Sequence, residues 1–254
     1  MQIDRLSDIA QKFDGMLIDQ FGVIHDGEKL YPGTLNILQE LHRLRIRVGV
    51  MTNSGKRAAA NRERLLHMGL PREHFVDVVS SGEVAYHSLG DKKAFLIGRT
   101  GQDYGFDGVP FVSDIRDAEV ILILGSDLPH TTMASYEMLF QTTSLPAICC
   151  NPDKLMLTRY GLQPAPGAIA KLYEDMGGHV RWIGKPYAEI YSAALKRIGM
   201  PRHVLCVGDS AEHDVAGGRR ASLATLLVMT GISAGLDAAR LHPQPDYFMQ
   251  EFIW

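Results

Sequence analysis

Short apolar runs that end in a polar residue recur along the chain. The first is Met16-Leu17-Ile18, which stops at Asp19 and is followed by Gly22 and a second apolar pair. A buried strand of a parallel sheet has this pattern, and ligands bind α/β sheets beyond the carboxyl ends of the strands. Asp19 is therefore predicted at the ligand edge of a sheet, where a carboxylate can attack phosphorus or carbon and form a covalent intermediate. The alternative is that Asp19 begins a turn or caps a helix.

The apolar pattern alternates between strand-like runs and helical spacing, as in the leucines at 35, 38, 41 and 44. Strands are predicted at 16–18, 46–51, 76–79, 93–98, 109–112, 119–125, 146–151, 180–183, 204–207, 224–229 and 246–248. Helices are predicted at 35–44, 58–68, 131–141, 168–176 and 188–198, with another ending near 88. Such alternation favours an α/β fold with a parallel, doubly wound sheet.

The rhythm of the pattern changes after about residue 87, where short strands are separated by turns rich in Gly and Asp, and it returns near residue 181. We therefore expect an inserted α/β domain over 87–180, within a core domain formed by 1–86 and 181–254. The chain has 254 residues, of which 46% are hydrophobic, enough for a large core and for one or two domains.

Charge and cysteine content narrow the classes of protein. The formal net charge is −3, so we expect neither a nucleic-acid nor a membrane-surface partner. The first residues lack the charged-then-apolar layout of a signal peptide, and no run approaches the ~18–20 apolar residues of a membrane span. Cys149, Cys150 and Cys206 lie in apolar runs and are predicted to be buried, reduced thiols. These features favour a cytoplasmic protein.

Polar groups also follow the second predicted strand, where Thr52-Asn53-Ser54-Gly55 precedes a helix. Hydroxyl, amide and helix-start N–H groups that converge at such a point can bind an anion. The alternative is an ordinary helix N-cap at Asn53 or Ser54.

Three further charged residues follow later strands. Lys185 comes after 180–183, and Asp209 and Asp214 come after 204–207. Alone, Lys185 reads as a surface lysine and Asp209 as a turn residue. With Asp19 and Thr52 they form the set that phosphoryl transfer to a carboxylate requires: groups that hold the phosphoryl oxygens, a lysine that neutralises charge, and hard oxygen ligands for Mg²⁺.

The sequence resembles the haloacid dehalogenase superfamily of hydrolases, in particular its class IIA branch, in which a cap domain lies between the second and third motifs. Four stretches carry the resemblance: Asp19 to Gly27, Met51 to Ser54, Gly184-Lys185-Pro186, and Gly208 to Asp214. Asn151-Pro152-Asp153 and Pro166-Gly167-Ala168 also resemble segments of that branch.

The resemblance implies a Mg²⁺-dependent phosphatase of a small phosphate ester that works through an aspartyl-phosphate intermediate. Asp19 would be the nucleophile, and Thr52, Asn53, Ser54 and Lys185 would bind the phosphate. Asp209 would bind the metal together with Asp19 and the Phe21 carbonyl, and Asp214 would be a further carboxylate of the metal site.

Phe21 departs from the pattern of the superfamily. Its phosphatases usually carry a second Asp two residues after the nucleophile, which protonates the leaving alcohol and then activates water. Phe21 cannot transfer a proton, so a slow phosphatase is expected, or one aided by another base. His25 and Asp26 are close in sequence, but a surface histidine and a turn aspartate are the simpler interpretations.

Two other functions stay open. One is carbon–halogen hydrolysis through an ester of Asp19, although that reaction needs no Mg²⁺. The other is a non-catalytic protein that binds a phosphorylated ligand. The substrate is not readable from cap residues such as Asp127, Arg159 and Tyr160. Nor is the oligomeric state, for which a homo-oligomer through the cap is one option.

Overall fold

A computed structural model gives the structure and describes residues 1–158 and 161–254. The strands are β1 (Gly15–Asp19), β2 (Arg47–Thr52), β3 (Asp77–Ser80), β4 (Ala94–Ile97), β5 (Phe111–Val112), β6 (Val120–Ile123), β7 (Ala147–Cys149), β8 (Leu155–Thr158), β9 (Gly161–Pro164), β10 (Val180–Trp182), β11 (Val204–Gly208), β12 (Ala224–Val228) and β13 (Tyr247–Met249). The α-helices are α1 (Thr34–Arg43), α2 (Ala58–His67), α3 (Ser81–Leu89), α4 (Met133–Phe140), α5 (Pro166–Asp175), α6 (Ala188–Arg197) and α7 (Ala216–Arg220).

The first sheet has six strands in the order β13-β12-β11-β1-β2-β3. β1 pairs in parallel with β11 on one side and β2 on the other, so the strand order reverses at this point. β11 also pairs in parallel with β12, and β12 with β13. Burial explains the sequence pattern, because every residue of β1 and of β11 is buried. The predicted doubly wound α/β sheet is confirmed.

The second sheet has five strands in the order β10-β7-β6-β4-β5, and all four pairings are parallel. β8 and β9 form a separate two-stranded antiparallel sheet, which the sequence interpretation missed. Cys149 and Cys150 are buried free thiols, as is Cys206 in the first sheet, which confirms that prediction. Arg159 and Tyr160, two of the cap residues from which the sequence did not reveal the substrate, lie outside the described residues.

The chain divides into two compact units. The first contains Met1–Thr52, Asn61–Val79 and Lys185–Trp254, and the second contains Asn53–Ala60 and Ser80–Gly184. The second unit thus includes 53–60, 80–86 and 181–184, which the sequence interpretation had placed with the core. No helix among residues 1–158 and 161–254 is both long and apolar enough to cross a bilayer.

One strand was assigned to the wrong sheet. The sequence interpretation treated 180–183 as a strand of the core sheet that delivers Lys185 to its ligand edge. In the structure β10 pairs with β7 and belongs to the second sheet. The apolar pattern shows that a segment is a strand, but sheet membership depends on partners that are distant in sequence.

Candidate metal and phosphate site

The candidate site lies where β1 and β11 end side by side. Ile18 is the register partner of Val207, so Asp19 ends β1 level with Gly208, and Asp209 follows one residue later. Ligands bind open α/β sheets at such a reversal of strand order, beyond the carboxyl ends of the strands. Here the fold brings together two carboxylates that are far apart in sequence.

A third carboxylate completes an acidic cluster. Asp19, Asp209 and Asp214 each offer one oxygen, and these atoms lie within 4.8 Å of one another. Asp214 comes from a π-helical turn (Ala211–Val215), and its Oδ2 accepts a hydrogen bond from the Ser210 amide at 3.2 Å. A Cβ atom at Gly208 would lie 1.9 Å from the Asp214 Cγ, so only glycine fits beneath this side chain.

Lys185 joins two of the carboxylates. Its Nζ lies 2.6 Å from the Asp19 Oδ1 and 2.8 Å from the Asp214 Oδ1, and its side chain is 4% exposed. The prediction about its strand was wrong, yet the lysine belongs to the first unit and contacts the expected nucleophile. Such a cation can offset the charge of a carboxylate and of a phosphoryl group held beside it.

Burial and mutual repulsion perturb these acids. Burial raises the pKa of Asp19 well above its ordinary value. The positive charge of Lys185 lowers this pKa, whereas the negative charges of Asp214 and Asp209 raise it further. Burial and the Asp214 charge raise the pKa of Asp209 to about 6. Burial would lower the pKa of Lys185, but the Asp19 and Asp214 carboxylates outweigh it and raise that pKa, so the amine stays charged.

Two glycines close tightly on Asp209. A Cβ atom at Gly22 would lie 2.0 Å from the Asp209 Oδ2, and one at Gly231 would lie 1.8 Å from the same oxygen. The Ile232 amide donates to that oxygen at 2.8 Å, and the Thr230 hydroxyl donates to the Gly22 carbonyl at 2.6 Å. The sequence interpretation missed the loop at 230–232, and its only sign was Thr-Gly directly after a predicted strand.

The residues predicted to bind phosphate divide between the two units. Thr52 ends β2, is buried, and follows Met51, the register partner of Asp19. Asn53 and Ser54 belong to the second unit, where the Asn53 Nδ2 donates to the Asp153 Oδ1 at 3.0 Å and the Ser54 carbonyl accepts from the Gly82 amide at 3.0 Å. Phosphate binding by these three residues stays a prediction.

Phe21 and His25 form a small aromatic pair in the turn after β1. The Phe21 ring is 57% exposed and meets the His25 ring edge-on, with centroids 5.9 Å apart. His25 was expected at the surface but is buried, and its Nδ1 accepts from the Gly27 amide at 2.9 Å. Burial, aided by the charge of Arg64, lowers the pKa of His25 to about 4, so the imidazole is neutral near pH 7. Asp26 is the expected turn residue, because its carboxylate accepts amides at 28 and 29.

The cluster suits a divalent cation. Three buried carboxylates and one lysine leave an excess of negative charge when all the acids are ionised, and repulsion among them adds to the effect of burial on the raised pKa values of Asp19 and Asp209. Mg²⁺ prefers hard oxygen ligands of this kind and binds through one or two carboxylates together with substrate phosphate and water. Asp19, Asp209 and Asp214 are therefore suitable residues to hold it, whereas the Phe21 carbonyl as a ligand stays a prediction.

Two family profiles match the chain. The one described as haloacid dehalogenase-like hydrolase matches residues 16–111, and the one described as HAD-hydrolase-like matches residues 182–253. The first range contains Asp19 and the second contains Asp209 and Asp214, so the two profiles together cover all three residues of the acidic cluster.

Named relatives and solved structures cover nearly the whole chain. It is 25% identical to the dihydroxyacetone phosphatase of Corynebacterium glutamicum (strain R) over 91% of this chain and 86% of that protein. A crystal structure of a hydrolase of the haloacid dehalogenase-like family from Brucella suis is 26% identical, with a TM-score of 0.86 over 99% of this chain and 100% of that one. A glycerol phosphate phosphatase from Mycobacterium tuberculosis, crystallised in complex with magnesium, is 26% identical, with a TM-score of 0.75 over 96% of this chain and 77% of that one.

Proposed function

The chain belongs to the haloacid dehalogenase-like hydrolases, in their class IIA branch, and we propose that it is a Mg²⁺-dependent phosphatase of a small phosphorylated metabolite. One observation carries the proposal: the Asp19, Asp209 and Asp214 oxygens lie within 4.8 Å of one another, and Lys185 bridges Asp19 and Asp214. This arrangement combines a nucleophile, a metal site and a phosphate-neutralising cation.

The reaction follows from these positions. A carboxylate oxygen of Asp19 attacks phosphorus, the bond from phosphorus to the ester oxygen breaks, and the departing alkoxide takes up a proton from water. Water then attacks the aspartyl phosphate, which releases phosphate and restores the carboxylate. Lys185 stays charged and offsets negative charge on the phosphoryl oxygens, and the Thr52 hydroxyl donates to one of them. Asp19, Asp209 and Asp214 would hold Mg²⁺, which would supply further charge stabilisation at the phosphoryl group.

The relatives suggest the substrate class. One relative is named a dihydroxyacetone phosphatase and another a glycerol phosphate phosphatase, and both names refer to three-carbon compounds. We therefore propose small sugar or polyol phosphates as the first compounds to test. The cap assignment to residues 87–180, a homo-oligomer through the cap and a cytoplasmic location stay predictions.

The acidic cluster favours a phosphatase over the two alternative functions. Carbon–halogen hydrolysis needs a nucleophilic carboxylate but no divalent cation, so it gives no reason for Asp209 and Asp214 to converge on Asp19. A non-catalytic phospholigand-binding protein would need the anion-binding groups but no nucleophile.

One assay separates these functions. Phosphate release from a panel of phosphorylated metabolites is measured with Mg²⁺ and with a chelator, for the native protein, for Asp19→Asn, and for Asp4→Asn as an exposed control. We expect release that requires Mg²⁺, survives Asp4→Asn and is lost in Asp19→Asn. Halide release from a 2-haloacid that is unaffected by chelator would support the dehalogenase instead, and saturable ligand binding without either activity would support the binding protein.

A further inference from the structure

A cavity of about 560 Å³ lies in the first unit, at the opposite end of β2 from the candidate active site. It is lined by residues 42–43, 45–48 and 73–76. β2 begins at Arg47 and ends at Thr52, which places the cavity roughly 16 Å from the active-site edge at ~3.3 Å per strand residue. Cavities of about 300–1,000 Å³ are typical of small-molecule sites.

The lining of this cavity is basic, although the whole chain is slightly acidic. It contains three arginines and two histidines but a single carboxylate, that of Glu73. Arg43 is already paired with Glu40 at 2.8 Å. The Glu40 carboxylate therefore partly neutralises Arg43, and the excess positive charge of the lining comes from the other two arginines.

Those two arginines, Arg45 and Arg47, lack a carboxylate partner among the described residues. Arg47 donates to the backbone carbonyls of Ile198 and Gly199 at 3.2 and 3.4 Å, which orient the guanidinium without neutralising it. Arg45 has no ion pair with any described residue. A guanidinium presents a planar fork of donors that matches phosphate oxygens, so two unneutralised arginines on one cavity form a suitable anion receptor.

Arg45 also occupies a backbone position that favours glycine. It follows α1 with φ +59°, and the hydrogen bonds from the Arg45 amide to the His42 carbonyl and from the Ile46 amide to the Leu41 carbonyl close the helix. Helices that end this way usually have glycine at the left-handed residue. The chain therefore places an arginine where the backbone alone would prefer no side chain.

The histidines supply an independent indication of a ligand. The Nδ1 atom of His74 is buried and has no hydrogen-bond partner in the described part of the chain. Its ring lies 5.7 Å from that of His42, and both residues line the cavity. Buried polar atoms are nearly always satisfied, so an unsatisfied ring nitrogen on the same cavity as two arginines without a carboxylate partner indicates a polar partner that the described residues do not supply.

We propose that this cavity is a second binding site, for a small anion that carries phosphate groups, with Arg45 and Arg47 as its principal contacts. The site uses none of the residues assigned to the phosphatase reaction, and its existence does not depend on that reaction.

The test is a titration of the full-length protein with inorganic pyrophosphate in the presence of chelator, followed by amide chemical shifts in NMR. Because shifts are read per residue, binding at the cavity is separate from binding near Asp19. We expect saturable shifts at Ile46, Val48 and Phe75. The affinity should fall about tenfold or more in Arg45→Gly and in Arg47→Gln, as loss of a charge-assisted hydrogen bond predicts.

Arg45→Gly keeps the test free of a folding artefact, because glycine suits this backbone position and the variant should melt no earlier than the native protein. Lys92→Gln with Lys93→Gln, two exposed lysines outside the cavity, controls for the loss of positive charge and should leave the affinity unchanged. Shifts that do not saturate, or that weaken equally in the lysine control, would reduce the effect to general charge screening and overturn the proposal. Saturable shifts confined to the residues around Asp19 would overturn it as well.

Discussion

In the native protein, the rate of phosphate-ester hydrolysis should depend strongly on the pKa of the leaving group, and Phe21→Asp should weaken this dependence. The family resemblance implies that Phe21 occupies the position from which superfamily phosphatases supply a proton, and its ring cannot transfer one. A positioned acid or base typically contributes ~10²–10⁴-fold to rate, which is roughly 3–5 kcal/mol of barrier at about 1.36 kcal/mol per tenfold. Aryl and acyl phosphates, whose leaving groups depart without a proton, should therefore react much faster than alkyl phosphates in the native protein.

The structure indicates that the substitution itself costs little stability. The Phe21 ring is 57% exposed, and its main aromatic contact is the edge-on pair with His25. Such a pair contributes about 0.5–1.5 kcal/mol, less than the expected change in barrier. His25 is not a ready substitute acid, because its lowered pKa of about 4 leaves it neutral near pH 7.

The assay is kcat/KM for a series of phosphate esters plotted against the pKa of the leaving group, for the native protein, Phe21→Asp and Phe21→Asn. The Asp variant should accelerate the alkyl esters by about 10²-fold or more and flatten the plot. The Asn variant, equal in size but unable to transfer a proton, should not. A flat plot for the native protein would refute this reasoning and show that another residue, such as His25 or Asp26, already supplies the proton.

Three further predictions concern substitutions of Lys185, Gly231 and Glu83. Lys185→Met removes the cation between two buried carboxylates and should lower the free energy of unfolding by about 3–5 kcal/mol in chelator, with partial recovery in Mg²⁺; urea midpoints that do not differ would contradict it. Gly231→Ala would bring a Cβ within 1.8 Å of a metal-site oxygen and should weaken Mg²⁺ binding in calorimetry, whereas Gly101→Ala, with an equally left-handed backbone but no atom within 4 Å, should not. Burial raises the pKa of Glu83, but hydrogen bonds from Arg57, at 2.7 and 2.9 Å, and from a backbone amide lower it to about 2. The carboxylate therefore contributes stability above pH 4.5 that is lost as pH falls toward 2, about 1–2 kcal/mol after solvent screening, and unfolding of Glu83→Gln between pH 5 and 3 should lack this loss.

The sequence alone determined the strands of the core and the residues at their ends. A continuous apolar run such as Met16-Leu17-Ile18 is typical of a parallel strand that is covered on both faces, and every residue of β1 is indeed buried. The polar residue that ends such a run must lie at the sheet edge, so Asp19, Thr52 and Asp209 were predictable from local pattern. The family resemblance then gave these positions their expected roles.

Tertiary structure decided what depends on partners distant in sequence. It placed β10 in the second sheet, although Lys185 still reaches Asp19, and it buried His25, for which a surface position was the simpler expectation. It also gathered Arg45, Arg47 and His74 around one cavity. Local periodicity records which face of an element is buried, but the element against which that face packs is fixed by contacts across the chain, and no short pattern encodes them.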